Sequence, residues 1–266
     1  MDQPYQAGPD VHVLPTHLPV PGVGHLLINA YVLLSEEPVL IDTGIGADGP
    51  EFIAALESIV SPADLRWIWL THDDGDHTGS LERIMELAPQ ARLATHALGA
   101  LRMASTWPVP LERVHAITHE DRLHVGDRTL RALRPPTFDN PMTIGIHDES
   151  TGTMFSVDAF GAILPEVTQS AAEIPADVLA GGMVAWATFD SPWTHLTDAD
   201  RFESVLDAVK RLEPSRVLSS HLPAAEGNLD AFLQTLRSLR DAEPFMPPNH
   251  EQFQQMLAAI TEPATA

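Results

Sequence analysis

The sequence predicts an α/β protein built as two half-sandwiches rather than as a simple parallel doubly wound sheet. Two observations predict the class. A β-rich stretch is followed by alternating helices and strands, and this order then repeats further along the chain. In addition, a short apolar strand in the first half runs directly into a loop dense in histidine and aspartate, the usual place for a site on such a sheet. The 266 residues suit one domain of this type. The expectation is a single domain over 1–266, with a core from about 8 to 243, a C-terminal helix over 249–261 and a short disordered tail.

"LLINAYVLL" (26–34) and "PVLIDTG" (38–44) are apolar and β-prone, and the polar "SEEP" between them turns the chain. "GPEFIAALESIV" (49–60) has apolar residues at helical spacing. "LRWIWL" (65–70) is too short and too continuously apolar for a helix and reads as a buried strand. "TGSLERIMELA" (78–88) reads as a helix, "ARLATH" (91–96) as a strand and 97–105 as a further helix. Short strands and turns are expected over 112–133, then a hairpin over 143–158 turning at "DESTG". Helices around 172–187, 198–212 and 228–241 enclose the strand "RVLSS" (216–220). The last segment, "HEQFQQMLAAI" (250–260), places Phe253, Met256, Leu257 and Ile260 on one helical face.

Composition removes several functions. With no cysteine there is no disulfide, thiolate metal site, iron–sulfur cluster or cysteine nucleophile. The formal net charge is -22, from 15 basic and 37 acidic residues, so nucleic acid and anionic membranes are poor partners. The N-terminus lacks the basic-then-apolar pattern of a signal peptide, and no apolar stretch is long enough to span a bilayer. A cytoplasmic location is the expectation.

The stretch "THDDGDHTG" (71–79) carries the chemistry. His72 and Asp74 are two apart and share a face of an extended loop, while Asp76 and His77 sit at the turn into the next helix. One loop can therefore serve two adjacent metal ions, and imidazole with carboxylate suits zinc, iron and manganese. The competing explanation is an acidic loop that caps a helix through Asp76. Two histidines at this spacing, directly after an apolar strand, favour the metal.

H-x-D-x-D-H here resembles the H-x-H-x-D-H signature of the metallo-β-lactamase superfamily, and three further landmarks follow in order. "LIDTG" carries Asp42, "FSVDAFG" (155–161) carries Asp158, and "RVLSSHLP" (216–223) ends on His221. The resemblance implies an αββα four-layer sandwich, the metallo-β-lactamase fold, over nearly the whole chain. It implies metal ligands His72, Asp74, Asp76, His77, Asp158 and His221, with Asp42 supporting them from behind. A carboxylate at Asp74, together with "INAYVLL" and "FSVDAFG", is more similar to the oxygen-binding diiron branch, the metal domain of flavodiiron proteins, than to the zinc hydrolases. Oxygen-rich ligation favours iron, with manganese and zinc as the other candidates.

One family ligand is missing. Aligning "PPTFDNPMT" (135–143) on Met142 puts Thr137 where the resemblance expects a third histidine. Two metal ions are implied, but an asymmetric pair, one fully occupied site or a site open to substrate all remain open. His147 is a candidate substitute ligand, and His25 a candidate donor at the pocket rim. His96, His115, His119 and His124 read as surface or locally hydrogen-bonded groups. Trp186 and Trp193 flank "ATFDSP", which in the family runs near the metals, and core packing explains at least one of them.

The leading function is a di-iron protein that binds or reduces O2 or NO, or oxidises a small molecule. Metal-dependent hydrolysis of an ester, thioester, lactone or phosphoester is the alternative. A non-catalytic metal-binding or sensing domain is the third. The chain ends too soon for a flavodoxin-like domain, so no flavin is expected on it, and electrons would come from a separate donor or from the substrate. A homodimer is compatible with everything above.

Overall fold

The strands form where β-branched, aromatic and leucine-rich runs meet turn residues, and in the computed structural model they gather into two sheets. Residues 1–261 are described, with side chains through 258. The chain opens with β1 (Tyr5–Gly8), β2 (Val11–Val20), β3 (Gly24–Leu33) and β4 (Val39–Ile41). Then come α1 (Gly49–Glu57), β5 (Trp67–Trp69), α2 (Leu81–Leu87), β6 (Arg92–Thr95), α3 (Ala97–Met103) and β7 (Val114–Ala116). The second half holds β8 (Arg122–His124), β9 (Thr129–Leu133), β10 (Gly145–Asp148), β11 (Thr153–Val157) and β12 (Ile163–Leu164). It continues with α4 (Ala176–Asp190), α5 (Ala199–Lys210), β13 (Arg216–Ser219), β14 (Ala225–Glu226), α6 (Leu229–Ser238) and α7 (His250–Thr261).

The first sheet runs β1-β2-β3-β4-β5-β6-β7, with β12 added against β3, and the second runs β14-β13-β11-β10-β9-β8. Three apolar cores separate four layers. One lies between the sheets and includes Tyr31, Trp69, Ile146 and Phe155. Another packs α1, α2 and α3 on the first sheet through Phe52, Leu56, Ile84 and Met103. The third packs α4, α5 and α6 on the second sheet through Met183, Phe202, Leu206 and Phe232. This is the αββα sandwich that the resemblance implied. Among the described residues no helix is long and apolar enough to cross a membrane. The expected tail and the side chain of Ile260 lie outside the described residues.

Two parallel sets of strands place the site. β4, β5, β6 and β7 run parallel in the first sheet, and β11 runs parallel to β13 in the second. A parallel set brings its carboxyl ends to one edge, where loops are free to carry function. Asp42 follows β4, His72 follows β5, Asp158 follows β11 and His221 follows β13.

Candidate metal centre

The loop after β5 is held open by its neighbour after β4. Asp42 adopts a left-handed backbone conformation, with φ 58°, uncommon for a residue with a Cβ. Its carboxylate accepts from Thr71 N and Thr71 Oγ1, both at 2.9 Å, and from His77 Nδ1 at 2.8 Å. Thr43 N and Thr43 Oγ1 both donate to His77 O at 2.8 Å. The strained Asp42 thus fixes the His77 ring while Thr43, beside it, fixes the His77 backbone.

The other rings are tied from behind in the same way. His221 Nδ1 donates to Leu27 O at 2.6 Å, and His72 Nδ1 lies 3.1 Å from Thr71 Oγ1. With each Nδ1 engaged, each Nε2 is left facing the pocket, the arrangement that orients histidine toward a metal. His221 Nε2 and His77 Nε2 lie 3.0 and 3.2 Å from Asp158 Oδ1, and His72 Nε2 lies 3.3 Å from Asp158 Oδ2. Yet Asp158 Oδ1 is buried without a well-aligned hydrogen bond, although His221 and His77 Nε2 both crowd it. Ring nitrogens crowding a carboxylate outside hydrogen-bond geometry fit a shared cation between them.

Two groups flank Asp158. Asp76, His77 and His221 bring three donor atoms within 4.8 Å of one another, and so do His72, Asp74 and Asp139. Asp158 joins His72 and His77 in a third such group, which links the two sides. A pocket of about 360 Å³ opens over them, closed on one side by Leu26, Trp186 and Phe189.

Asp139 corrects the expectation at Thr137. Thr137 is buried and does not line the pocket; the chain instead presents Asp139, two residues on, with Oδ1 at 3.9 Å from His72 Nε2. His147 is also corrected. It pairs with Arg131 and Met154 in the middle of the second sheet, and neither the pocket nor any candidate metal group includes it. Its neighbour Ile146 fills the core between the sheets, so strand alternation turns His147 to the opposite face. His25 pairs with Leu164 and packs edge-on against His17, with ring centroids 5.1 Å apart, and it too stays off the pocket wall. Trp186 lines the pocket and donates to Asp158 O at 3.0 Å, whereas Trp193 packs on Phe138 and Phe202.

Two further groups escaped the sequence reading. Asp190, at the end of α4, reaches the pocket and groups with Asp139 and Asp158. Asp73 turns away from the site into a bidentate pair with Arg102 of α3, whose guanidinium also lies 3.6 Å from Asp74. Of the five residues in "HDDGDH" that bear ligand atoms, four therefore face the pocket, namely His72, Asp74, Asp76 and His77.

The electrostatics match a site made for cations. Burial and then the charges of Asp158, Asp74 and Asp190 push the Asp139 carboxyl up to about 8. Burial and then Asp158 push Asp190 up to about 7. Burial works against ionising Asp158, but His72 and His77 hold it well below the usual carboxylate range. Burial lowers His77, yet Asp42 and Asp158 outweigh it and hold the ring well above its ordinary value. A carboxyl raised in the folded state gives stability below its unfolded value of 3.8 that is lost as pH rises through its folded one. In chelator, the melting temperature of Asp139→Asn should therefore fall less than that of the unmodified protein between pH 4 and about 8. Thermal unfolding across that range checks it, and parallel curves would remove Asp139 from the cluster.

Residues 26–221 match the profile described as ODP family beta lactamase. The chain belongs to that family. Among curated relatives of this ODP-family chain, the flavo-diiron protein FprA2 of Clostridium acetobutylicum is 29% identical over 134 residues, 50% of this chain and 34% of that protein. The nitric oxide reductase of Moorella thermoacetica is 22% identical over 216 residues, 75% of this chain and 53% of that one. The rubredoxin oxygen:oxidoreductase of Desulfovibrio gigas superposes with a TM-score of 0.78 at 18% identity, over 91% of this chain and 63% of that chain. That likeness establishes the fold. The chain spans between about a quarter and a half of the first curated relatives it matches.

Proposed function

We propose that this ODP-family chain, acting as one metallo-β-lactamase-like domain, holds two iron ions and binds or reduces O2 or NO. The observation that carries the proposal is the pair of three-donor groups joined by Asp158, with four carboxylates among seven donor residues. On one side stand Asp76, His77 and His221, on the other His72, Asp74 and Asp139. Hard oxygen donors favour iron over zinc, and manganese is the next candidate. The names of the relatives, a flavo-diiron protein, a nitric oxide reductase and an oxygen oxidoreductase, support the same reading.

When bound, a metal pair supplies electrons, in pairs, to a diatomic molecule held at the site. The chain's own residues do the rest. Asp42, Leu27 and Thr71 aim the three imidazoles. Trp186, Phe189 and Leu26 keep water from one side of the pocket. Asp190 accepts from Ser191 Oγ at Oδ2, 2.8 Å away, which leaves Oδ1 to hold a proton near neutral pH for the reduced product. Electrons would come from a separate donor or from an oxidisable substrate.

Anaerobic purification from iron-supplemented medium, followed by elemental analysis and optical spectra before and after air, tests the proposal. We expect about two irons per chain, a spectrum that changes on exposure to air, and about one iron in Asp139→Ala. Stoichiometric zinc that iron cannot displace would defeat it.

A further inference from the structure

A second, larger cavity shares a wall with the metal pocket. Its volume is about 720 Å³, against about 360 Å³ over the candidate ligands. Leu26, Trp186 and Phe189 line both. The remaining wall comes from the β2–β3 turn, β12, the end of α4, the segment before α7, and α7 itself.

The lining has one chemical character. None of its residues carries a charge, and Thr188 and Gln252 are its only side chains with a hydrogen-bonding amide or hydroxyl. In a chain of net charge -22, an uncharged concavity of this size next to a cluster of aspartates is a marked change of surface. Its rim leaves large apolar groups in water: Val23 is 59% exposed, Phe189 53% and Met246 79%. Phe189 stands between Trp186 and Phe245, with ring centroids at 5.8 and 5.1 Å, so an aromatic row divides this cavity from the acidic pocket.

Size sets the occupant. A diatomic gas needs on the order of one water's share of volume, about 30 Å³. The cavity falls instead in the range of about 300–1,000 Å³ that takes drug-sized organic ligands, with apolar walls and few polar groups. The wall shared with the metal pocket sets the orientation, because the charged and imidazole groups stand beyond it, whereas the cavity itself offers only Thr188 and Gln252 as hydroxyl or amide partners. We propose that the cavity binds the apolar body of an uncharged organic substrate, whose single polar end passes Trp186 and Phe189 toward the metals. Binding in the cavity stands on the cavity's own lining; the placement of the polar end rests on the metal reading above.

The test begins on metal-free full-length protein with the neutral fluorophore N-phenylnaphthylamine, displaced by decanol. We expect saturable binding that decanol competes away. Ile163→Trp, which fills the cavity, and Met246→Glu, which charges its rim, should each weaken it by about tenfold or more. Leu196→Ser, an exposed leucine elsewhere, should leave it unchanged. Equal binding in all three variants overturns the proposal, and so does a dimer, seen by light scattering, that excludes the probe. The second arm loads the protein with Mn(II) and measures paramagnetic relaxation of bound decanol protons. The hydroxyl end should relax faster than the methyl end; a uniform or reversed gradient overturns the orientation. Failure to retain Mn(II) would count against the metal reading alone, since the fluorescence arm uses no metal.

Discussion

Asp158→Asn is expected to bind divalent metal at least about a hundredfold more weakly than the unmodified protein, and to lose both ions together. The carboxylate is the one group that faces both sides: Oδ1 lies 3.0 and 3.2 Å from His221 and His77, and Oδ2 lies 3.3 Å from His72. Asparagine preserves the shape and removes the charge. It also places an amide NH2 against ring nitrogens whose Nδ1 atoms are already committed to Thr71, Asp42 and Leu27. Asp42→Asn makes the informative comparison. It spares every pocket-facing donor but exchanges an acceptor for a donor behind His77, so about a ten- to hundredfold loss is expected. Titration calorimetry with Mn(II) or anaerobic Fe(II) separates the two. Undiminished binding in Asp158→Asn would refute the shared-carboxylate arrangement.

The difference between what the sequence disclosed and what it hid follows from how each ligand is positioned. His72, Asp74, Asp76 and His77 stand in one loop after an apolar strand, so their convergence is a local property. Asp158 and His221 follow β11 and β13, whose apolar runs are equally plain. Asp139 was hidden because 134–144 has neither helix nor strand to fix its register, and an alignment anchored on Met142 put Thr137 in its place. Asp190 was hidden because its helix was expected to end near 187, whereas α4 continues to Asp190 and carries that carboxylate to the pocket. β1 and β2 are hard to read from sequence, because Pro15 and Pro19 argue against a central strand. Both prolines are nevertheless paired along β2, opposite Asn29 and His25. The fold class survived these omissions because it rests on the order of many elements rather than on any one.

Gly79→Ala is expected to lower the melting temperature by roughly 10 °C, equivalent to about 3 kcal/mol, although the residue makes no contact with the pocket. The cause is the approach of two loops. Gly79 N donates to Gly44 O at 2.8 Å, Thr43 N donates to His77 O at 2.8 Å, and Ser80 N donates to Thr43 O at 3.1 Å. A methyl at Gly79 would stand 2.1 Å from Gly46 N, 2.2 Å from the carbonyl carbon of Ile45 and 2.6 Å from Gly44 O. All three are backbone atoms, so no side chain can swing aside and the loops must part. Parting them pulls at Thr43 and Asp42, which hold His77, so metal affinity should fall along with stability. Gly75→Ala is the control. It lies in the same loop, but a methyl there would meet nothing within 4 Å, and it should melt and bind metal as the unmodified protein does. Because no ligand changes in either variant, a loss confined to Gly79→Ala can come only from the distance between the loops after β4 and β5. An unaltered melting temperature in Gly79→Ala would mean that the two loops do not lie this close.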